Sequence, residues 1–386
     1  MYIWKIDRLQ THYAKMQGQF NIEGKVGLNL IGEYIKNIER EGDCLEKGTY
    51  KQVTRKDVAE AAGVSVTVVS YVINNNRYVD KEKRKRVEEA IQKLHYKPNS
   101  IARALKGKKL NHIVFIADQI VTEHFSFLVS ELDKNAYDLG YMISLCANRN
   151  TQQFVNSIIS RQYDGVIISS ISFNKEYIRQ LIAADIPVVL IANRNYDDVE
   201  GAAKIYNGLY EGARENVRYL KEKGCRNIVY IDRFSKRKHY SDMNDMRYRG
   251  YVEEMIESGL SEHPEKQFIT GCEDEEEVRQ KVQTYLKEHK VDAIFGRNDK
   301  LACIAMQTAR KMGYRIPEDI AVIGFDNSSL GQYCEPPITS MEIQREKVAK
   351  TAIDMLQQMI DTHTLPDPVR YQTKLIERES TAKNIK

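Results

Sequence analysis

From His112 onward, short apolar runs alternate with amphipathic stretches, and nothing else in the chain constrains the fold as strongly. The runs fall at 112–117, 141–147, 164–169, 187–192, 227–232, 266–270, 292–296 and 320–325. Continuous apolar runs of this length suit strands buried on both faces, and the stretches between them carry apolar residues at helical spacing. Strands alternating with helices predict parallel α/β sheets. The run His112-Ile113-Val114-Phe115-Ile116 is echoed by Asn227-Ile228-Val229-Tyr230-Ile231. Two similar Rossmann-like halves are therefore expected, not one continuous sheet. Polar residues stand just past the strands' carboxyl ends: Asp118, Ser169, Ser170, Asn193, Asp232, Asn298, Asp299, Asp326 and Asn327. Open α/β sheets bind ligands at that edge. The same positions also suit helix caps, so either role is open for each. Together they point to a cleft between the halves that fits a small polar ligand.

The chain has 386 residues, 42% of them hydrophobic, which allows two or three domains. No apolar run reaches the length of a membrane span. The start, Met1-Tyr2-Ile3-Trp4-Lys5-Ile6-Asp7, lacks the pattern of an export signal, so a cytoplasmic protein without membrane contact is expected. The six cysteines are widely spaced. That spacing excludes a local metal site, and the thiols are expected buried and reduced. No Gly-rich dinucleotide loop, phosphate loop or zinc spacing occurs, so neither a cofactor nor an enzyme is indicated.

Net charge is +4, unevenly spread. Residues 1–50 are neutral, residues 51–109 hold fifteen basic and six acidic side chains (+9), and the remainder is −5. A small basic module on a larger acidic body suggests that the module alone meets a polyanion. Within it, Thr54 and Asp57 form a capping-box pattern before the apolar Val58, Ala59 and Ala62, and Gly63 ends that helix. Ser65 suits the cap of a second helix, 66–73, closed by Asn74-Asn75-Asn76. A third begins near Asp80, with Val87, Ile91 and Leu94 at helical spacing, and stops before Pro98. Two short helices about a Gly turn, with a third closing the core, make a helix-turn-helix unit.

These segments, Val53 to Ser65, Val69 to Asn74 and Lys97 to Leu105, resemble the headpiece of the lactose-repressor/galactose-repressor (LacI/GalR) family. The likeness extends to about Thr381. It implies a transcription regulator, in all expectation a repressor, that binds double-stranded DNA at a pseudo-palindromic operator as a homodimer. It marks Thr54, Ser65, Val66, Thr67, Ser70, Tyr71 and Asn74 as DNA-facing. Val66, Thr67 and Tyr71 also lie on one face near the start of the second helix, where side chains meet base edges. Many relatives carry Thr and Arg where this chain has Val68 and Tyr71, so the resemblance leaves the operator sequence open. The segment around Asn99, Ala102, Arg103 and Leu105 resembles the family's hinge helix, and Leu105 matches the side chain that wedges between base steps.

The remainder resembles the periplasmic-binding-protein-like core of the family. Arg247 matches an effector-contacting arginine, Asn298 and Asp299 a cleft-facing pair, Asp326 an acceptor for effector hydroxyls or ring nitrogens, and His124 and Phe125 aromatic cleft positions. With Ser169 and Asn193 they form the expected effector site. Cys272-Glu273-Asp274 stands where several relatives present a stacking aromatic. Polyols, acidic sugars with a counter-charge, or no effector all remain open. The expected layout is an N-terminal extension at 1–50, either an added arm or read-through from an over-long start; a headpiece at 51–98; a hinge at 99–109; and a core at 110–386. Within the core the first half is expected at 110–204 and 336–367, and the second at 205–335 plus a C-terminal strand. A solute-binding protein without regulatory role is the competing function, opposed by the headpiece and the missing export signal.

Overall fold

The computed structural model describes residues 53–97, 109–118 and 122–382, in two compact units, Met1–Asn99 and Ser100–Lys386. The expected extension at 1–50 and the hinge residues Asn99, Ala102, Arg103 and Leu105 lie outside the described residues.

Among its described residues the smaller unit shows three helices: α1 (Arg55–Ala62), α2 (Val66–Asn74) and α3 (Lys81–Lys93). Each starts where a short polar side chain can accept from exposed backbone N–H groups. Thr54 and Asp57 close a reciprocal capping box, and Ser65 and Asp80 cap α2 and α3. Gly63 ends α1 at φ 62°, a left-handed conformation that costs a side-chain-bearing residue about 1–2 kcal/mol. The core is Val58, Ala59, Ala62, Val69, Val72, Val79, Val87, Ala90 and Tyr96.

The larger unit holds two six-stranded sheets. The first contains β1 (His112–Ala117), β2 (Met142–Ala147), β3 (Gly165–Ser169), β4 (Val188–Ile191), β5 (Ala203–Tyr206) and β11 (Val369–Arg370), in the order β11-β5-β4-β3-β1-β2. The second contains β6 (Ile228–Ile231), β7 (Phe268–Ile269), β8 (Ala293–Gly296), β9 (Ala321–Phe325), β10 (Thr339–Glu342) and β12 (Lys374–Ile376), in the order β12-β10-β9-β8-β6-β7. All pairings are parallel except β10 with β12. Helices cover both faces, which is why the strands read as unbroken apolar runs. Ile113 and Phe115 pack toward α4 (Glu123–Asp138) and α12 (Arg345–Thr362). Val114 and Ile116 join the opposite cluster with Val155 and Ile158 of α5 (Gln152–Ser160) and Ile178 and Leu181 of α6 (Lys175–Ala183). The second sheet divides its side chains in the same way. Tyr230 lies with α7 (Leu209–Glu222) and α8 (Met246–Glu257), and Ile231 with α9 (Glu275–Glu288) and α10 (Asp299–Lys311).

One expected boundary needs correction. Residues from 336 were assigned to the first half, but Thr339–Glu342 pairs in the second sheet, with β9. The chain returns to the first half only after Glu342. The local pattern around Pro336-Pro337 does not reveal which sheet its following strand joins, because that choice is made by long-range pairing. The chain therefore crosses between halves after β5, after β10 and after β11. The crossings touch each other. Gln344 Nε2 donates to the Gln372 carbonyl at 2.7 Å. Gly208, at φ 81°, lies so close to the third crossing that a Cβ there would stand 2.8 Å from the Thr373 nitrogen and the Tyr371 oxygen.

Candidate DNA face and effector cleft

In the headpiece, α2 buries Val69 and Val72, exposes Val66 and Thr67, and leaves Ser70, Tyr71 and Asn74 half-buried, with Tyr71 also packed against the core. Val66 is 43% exposed although apolar. Such a residue on a recognition-type helix is placed to meet a thymine methyl. The Arg77 guanidinium lies over the Tyr71 ring at 5.3 Å, which orients the ring. Asn74 donates to the Ser70 carbonyl at 2.7 Å. The side chains of Thr54 and Ser65 serve as caps, so any contact they make with another molecule shares those atoms with the helix start.

In the core, a cleft of about 320 Å³ lies between the halves. Its walls include His124, Phe125, Asn193, Arg247, Asn298, Asp299 and Asp326. Asp326 follows β9 at φ 94°, a backbone conformation held only where surrounding structure compels it. Here its N–H donates to the Met341 carbonyl at 2.8 Å. Its carboxylate accepts from Arg247 Nη2 at 2.7 Å, while Arg247 Nη1 donates to the Arg297 carbonyl at 3.0 Å. The Arg247 guanidinium also stacks over Phe325 at 4.5 Å. Burial pushes the Asp326 carboxyl up, but the charge of Arg247, together with Arg345 and Arg297, outweighs it and holds the group below the usual carboxylate range.

His124 stands on the first turn of α4, with its Nδ1 3.8 Å from Asp326 Oδ1. This is not an ion pair. Arg345 Nε donates to His124 Nδ1 at 3.1 Å, and an arginine can only donate, so the ring is neutral with its proton on Nε2. Burial, reinforced by Arg345 and Arg247 against the pull of Asp326, depresses its pKa to about 4. Arg345 also donates to the Asp326 carbonyl. It thus ties the first half, through His124, to the second.

Four further contacts span the cleft. Ser329, at the start of α11 (Ser329–Tyr333), donates from N and Oγ to Glu123 at 2.7 and 2.9 Å. Arg237 donates to the Asn148 carbonyl at 2.8 Å, and Arg233 lies 3.7 Å from Asp118.

Of the remaining expected site residues, Asn193, Asn298 and Asp299 line the cleft but spend polar atoms on the protein itself. Asp299 is buried and accepts from Ser340 Oγ and the Ser328 N–H, each at 2.5 Å. Burial pushes its carboxyl up to about 6 against the pull of those bonds. A Cβ on Gly324 would stand 2.2 Å from Asp299 Oδ1, so only glycine lets the carboxylate sit there. Asn298 caps α10 through the Leu301 N–H. Asn193 donates to Ser169 Oγ at 2.9 Å and accepts from Asn207. Ser169 itself is fully buried and is not part of the cleft wall. Arg233, Arg297 and Arg345 were not singled out from sequence. Arg233 and Arg297 follow β6 and β8 at the sheet edge that supplied the other candidates, so that rule would have found them. Arg345 had no such signal.

The model for bacterial regulatory proteins of the lacI family matches residues 54–99, and that for a periplasmic binding protein-like domain matches residues 217–381. The HTH-type transcriptional repressor PurR of Escherichia fergusonii is 30% identical over 340 residues, covering 85% of this chain and 97% of that protein. The chain belongs to the LacI family. PurR of Yersinia enterocolitica is 29% identical over 343 residues with the same coverage. Among solved structures, the lac repressor dimer bound to operator and the anti-inducer ONPF superposes with a TM-score of 0.73 at 23% identity, over 86% of this chain and 99% of that one. The complex of the transcriptional regulator CelR with cellobiose gives 0.62 at 24% identity, over 85% and 99%. Both share the fold of this LacI-family chain. Among the described residues, no acidic, cysteine and histidine cluster suits a metal, and no helix is long and apolar enough to cross a membrane.

Proposed function

We propose that this LacI-family chain is a transcriptional repressor that binds a pseudo-palindromic operator as a homodimer and responds to a small polar effector held in the core cleft. The observation that carries the reading is α2. Its outer side presents the exposed Val66 and Thr67 and the half-buried Ser70, Tyr71 and Asn74 over a packed three-helix core, on a module of charge +9. Residues 51–98 serve as the headpiece and 99–109 as the hinge, with Leu105 as the groove wedge. Two-fold assembly is favoured by β2, an edge strand that exposes Met142 and Leu145 beside Tyr137. Effector control is favoured by a cleft whose walls come from both halves, and by relatives solved with cellobiose and, for the Enterococcus faecium regulator, with ribose. A ligand touching both halves selects one orientation of them, and the linker at 99–109 enters the first half at β1. Ligand and operator then share a coupling free energy of about 1–3 kcal/mol.

A mobility-shift titration on DNA from upstream of the chain's own gene tests this. Binding should require two half-sites in inverted symmetry and weaken steeply with salt. Equal affinity for an isolated half-site, or no dependence on salt, rejects the reading.

A further inference from the structure

Four cationic side chains line the cleft: Arg233, Arg247, Arg297 and Lys300. Three have a carboxylate in direct contact. Arg247 meets Asp326 at 2.7 Å, Arg297 meets Asp245 at 2.7 Å, and Lys300 meets Glu275 at 2.5 Å. Among the described residues, Arg233 has only Asp118 within ion-pair distance, at 3.7 Å, and that carboxylate is already engaged. It accepts from Ser170 Oγ at 2.5 Å, Ser172 Oγ at 2.6 Å, Asn148 Nδ2 at 3.1 Å and the Ile171 N–H at 2.8 Å. The other acids in the cleft wall are committed too: Asp326 to Arg247, Asp299 to Ser340 and Ser328, and Glu123 to Ser329.

Arg233 is nonetheless largely removed from water, with 20% of its side chain exposed. Its Nη1 is buried and has no hydrogen-bond partner among the described residues. Buried polar atoms are otherwise almost always partnered, and a charged one most of all. Burial and the nearby Arg297 charge also push its guanidinium below the usual arginine range, the direction of a cation without a close counter-charge of its own. A guanidinium fork in a cleft wall fits the paired oxygens of a carboxylate or phosphate.

We propose that the effector of this cleft is an organic anion, its carboxylate or phosphate group taken by Arg233 and its neutral polar groups facing Arg247 and Asp326. The inference rests on reading the cleft as the effector site. Arg233 follows β6 of the second half, and Asp118 follows β1 of the first. An anion bound at Arg233 therefore competes with the contact between the halves, and binding and the relative position of the halves are linked.

Matched pairs of small molecules test this on the full-length protein, by calorimetry and by operator release or capture in the same samples. The pairs are galactose with galacturonate, glucose with gluconate, glucose with glucose 6-phosphate, and adenosine with AMP. Acetate and inorganic phosphate serve as ion controls. In at least one pair the anion should bind about tenfold or more tightly than its neutral partner, the scale of a charged hydrogen bond, and should change operator affinity. The carboxylate and phosphate arms separate the two sources of charge. R233Q should bring that ratio close to one, while R233K, which keeps the charge, should retain the preference. Neutral members that bind as well as their anions, or an R233Q protein with undiminished preference, overturn the inference and leave the effector cleft standing. Binding by the bare ions alone, without an effect on operator affinity, also overturns it. No binding by any member at millimolar concentration overturns the inference and the effector reading together.

Discussion

Replacing His124 with Gln should make the protein gain stability in mild acid, where the wild type is nearly indifferent. Two buried cleft groups have pKa values displaced into the same window, with opposite signs. His124 is held near 4 instead of 6.5. The unfolded chain therefore binds its proton first, and folded stability falls as pH drops from 6.5 toward 4. Asp299 is raised to about 6 from 3.8. The folded chain binds that proton first, so stability rises as pH drops from about 6 toward 3.8. Between pH 7 and pH 5 the first effect costs about 2 kcal/mol and the second returns about 1 kcal/mol. The depressed carboxylates Asp118, Asp245 and Asp326 lose their contribution only as pH falls below their ordinary range, so they leave this window undisturbed. The wild type should lose less than about 1 kcal/mol over the interval, whereas H124Q, keeping only the Asp299 limb, should gain about 1 kcal/mol. Urea unfolding followed by circular dichroism at both pH values reads the difference as a shift in midpoint at constant slope. An H124Q protein that is destabilised by acid as much as the wild type would refute the neutral, buried histidine and the protonatable Asp299 together.

Arg247→Ala leaves Asp326 buried without its partner and should cost about 3–5 kcal/mol, read as a lowered melting temperature; an unchanged melting curve would show that the pair contributes nothing. Gly324→Ala drives a Cβ into Asp299 and should cost about 1–3 kcal/mol, with Asp299 released from Ser340; thermal unfolding beside Gly324→Ser, which adds a still larger side chain, checks that the loss grows with volume. Leu105→Ala should weaken operator binding by roughly tenfold or more while sparing random DNA, since a wedge acts only on kinked steps worth a few kcal/mol; equal loss on both DNAs in a mobility-shift assay would assign Leu105 to folding alone.

The parts of this molecule that could be read in advance are those decided locally. Thr54, Gly63 and Ser65 announce helix ends because a cap needs a short acceptor and a left-handed turn needs glycine. The interior strands announce themselves because both faces are buried. The short strands β10, β11 and β12 do not, since two to four residues are too few to carry a period. Ala203–Tyr206 is hidden for the same reason. The crossing after β10 is decided by which sheet accepts Thr339–Glu342, a pairing over long separations. In the cleft, Arg247 and Asp326 meet each other, a pairing the sequence does not announce. Asp299 lines the cavity, but its carboxylate is held by Ser340 and Ser328. Arg233 and Arg297 stand at the same strand ends as the other candidates and are legible there, whereas Arg345 opens a helix far along the chain and carries no such signal.

Helix α12 supplies Val348, Ala349, Ala352, Ile353, Met355, Leu356 and Met359 to the core of the first half, although that half begins at residue 112. During synthesis the amino-terminal segments emerge first. The face of Ile113, Phe115, Ile167 and Val189 then has only α4 against it until the chain has been made through Thr362. Its edge strand Val369–Arg370 arrives later still, just before Lys374–Ile376 completes the second sheet. The half that starts first therefore closes only near the end of synthesis, and for most of translation part of its apolar sheet face is uncovered. A ribosome stalled before residue 345 would hold a nascent chain with both sheets begun and neither complete, and that chain would be a client for chaperones and not a smaller working regulator.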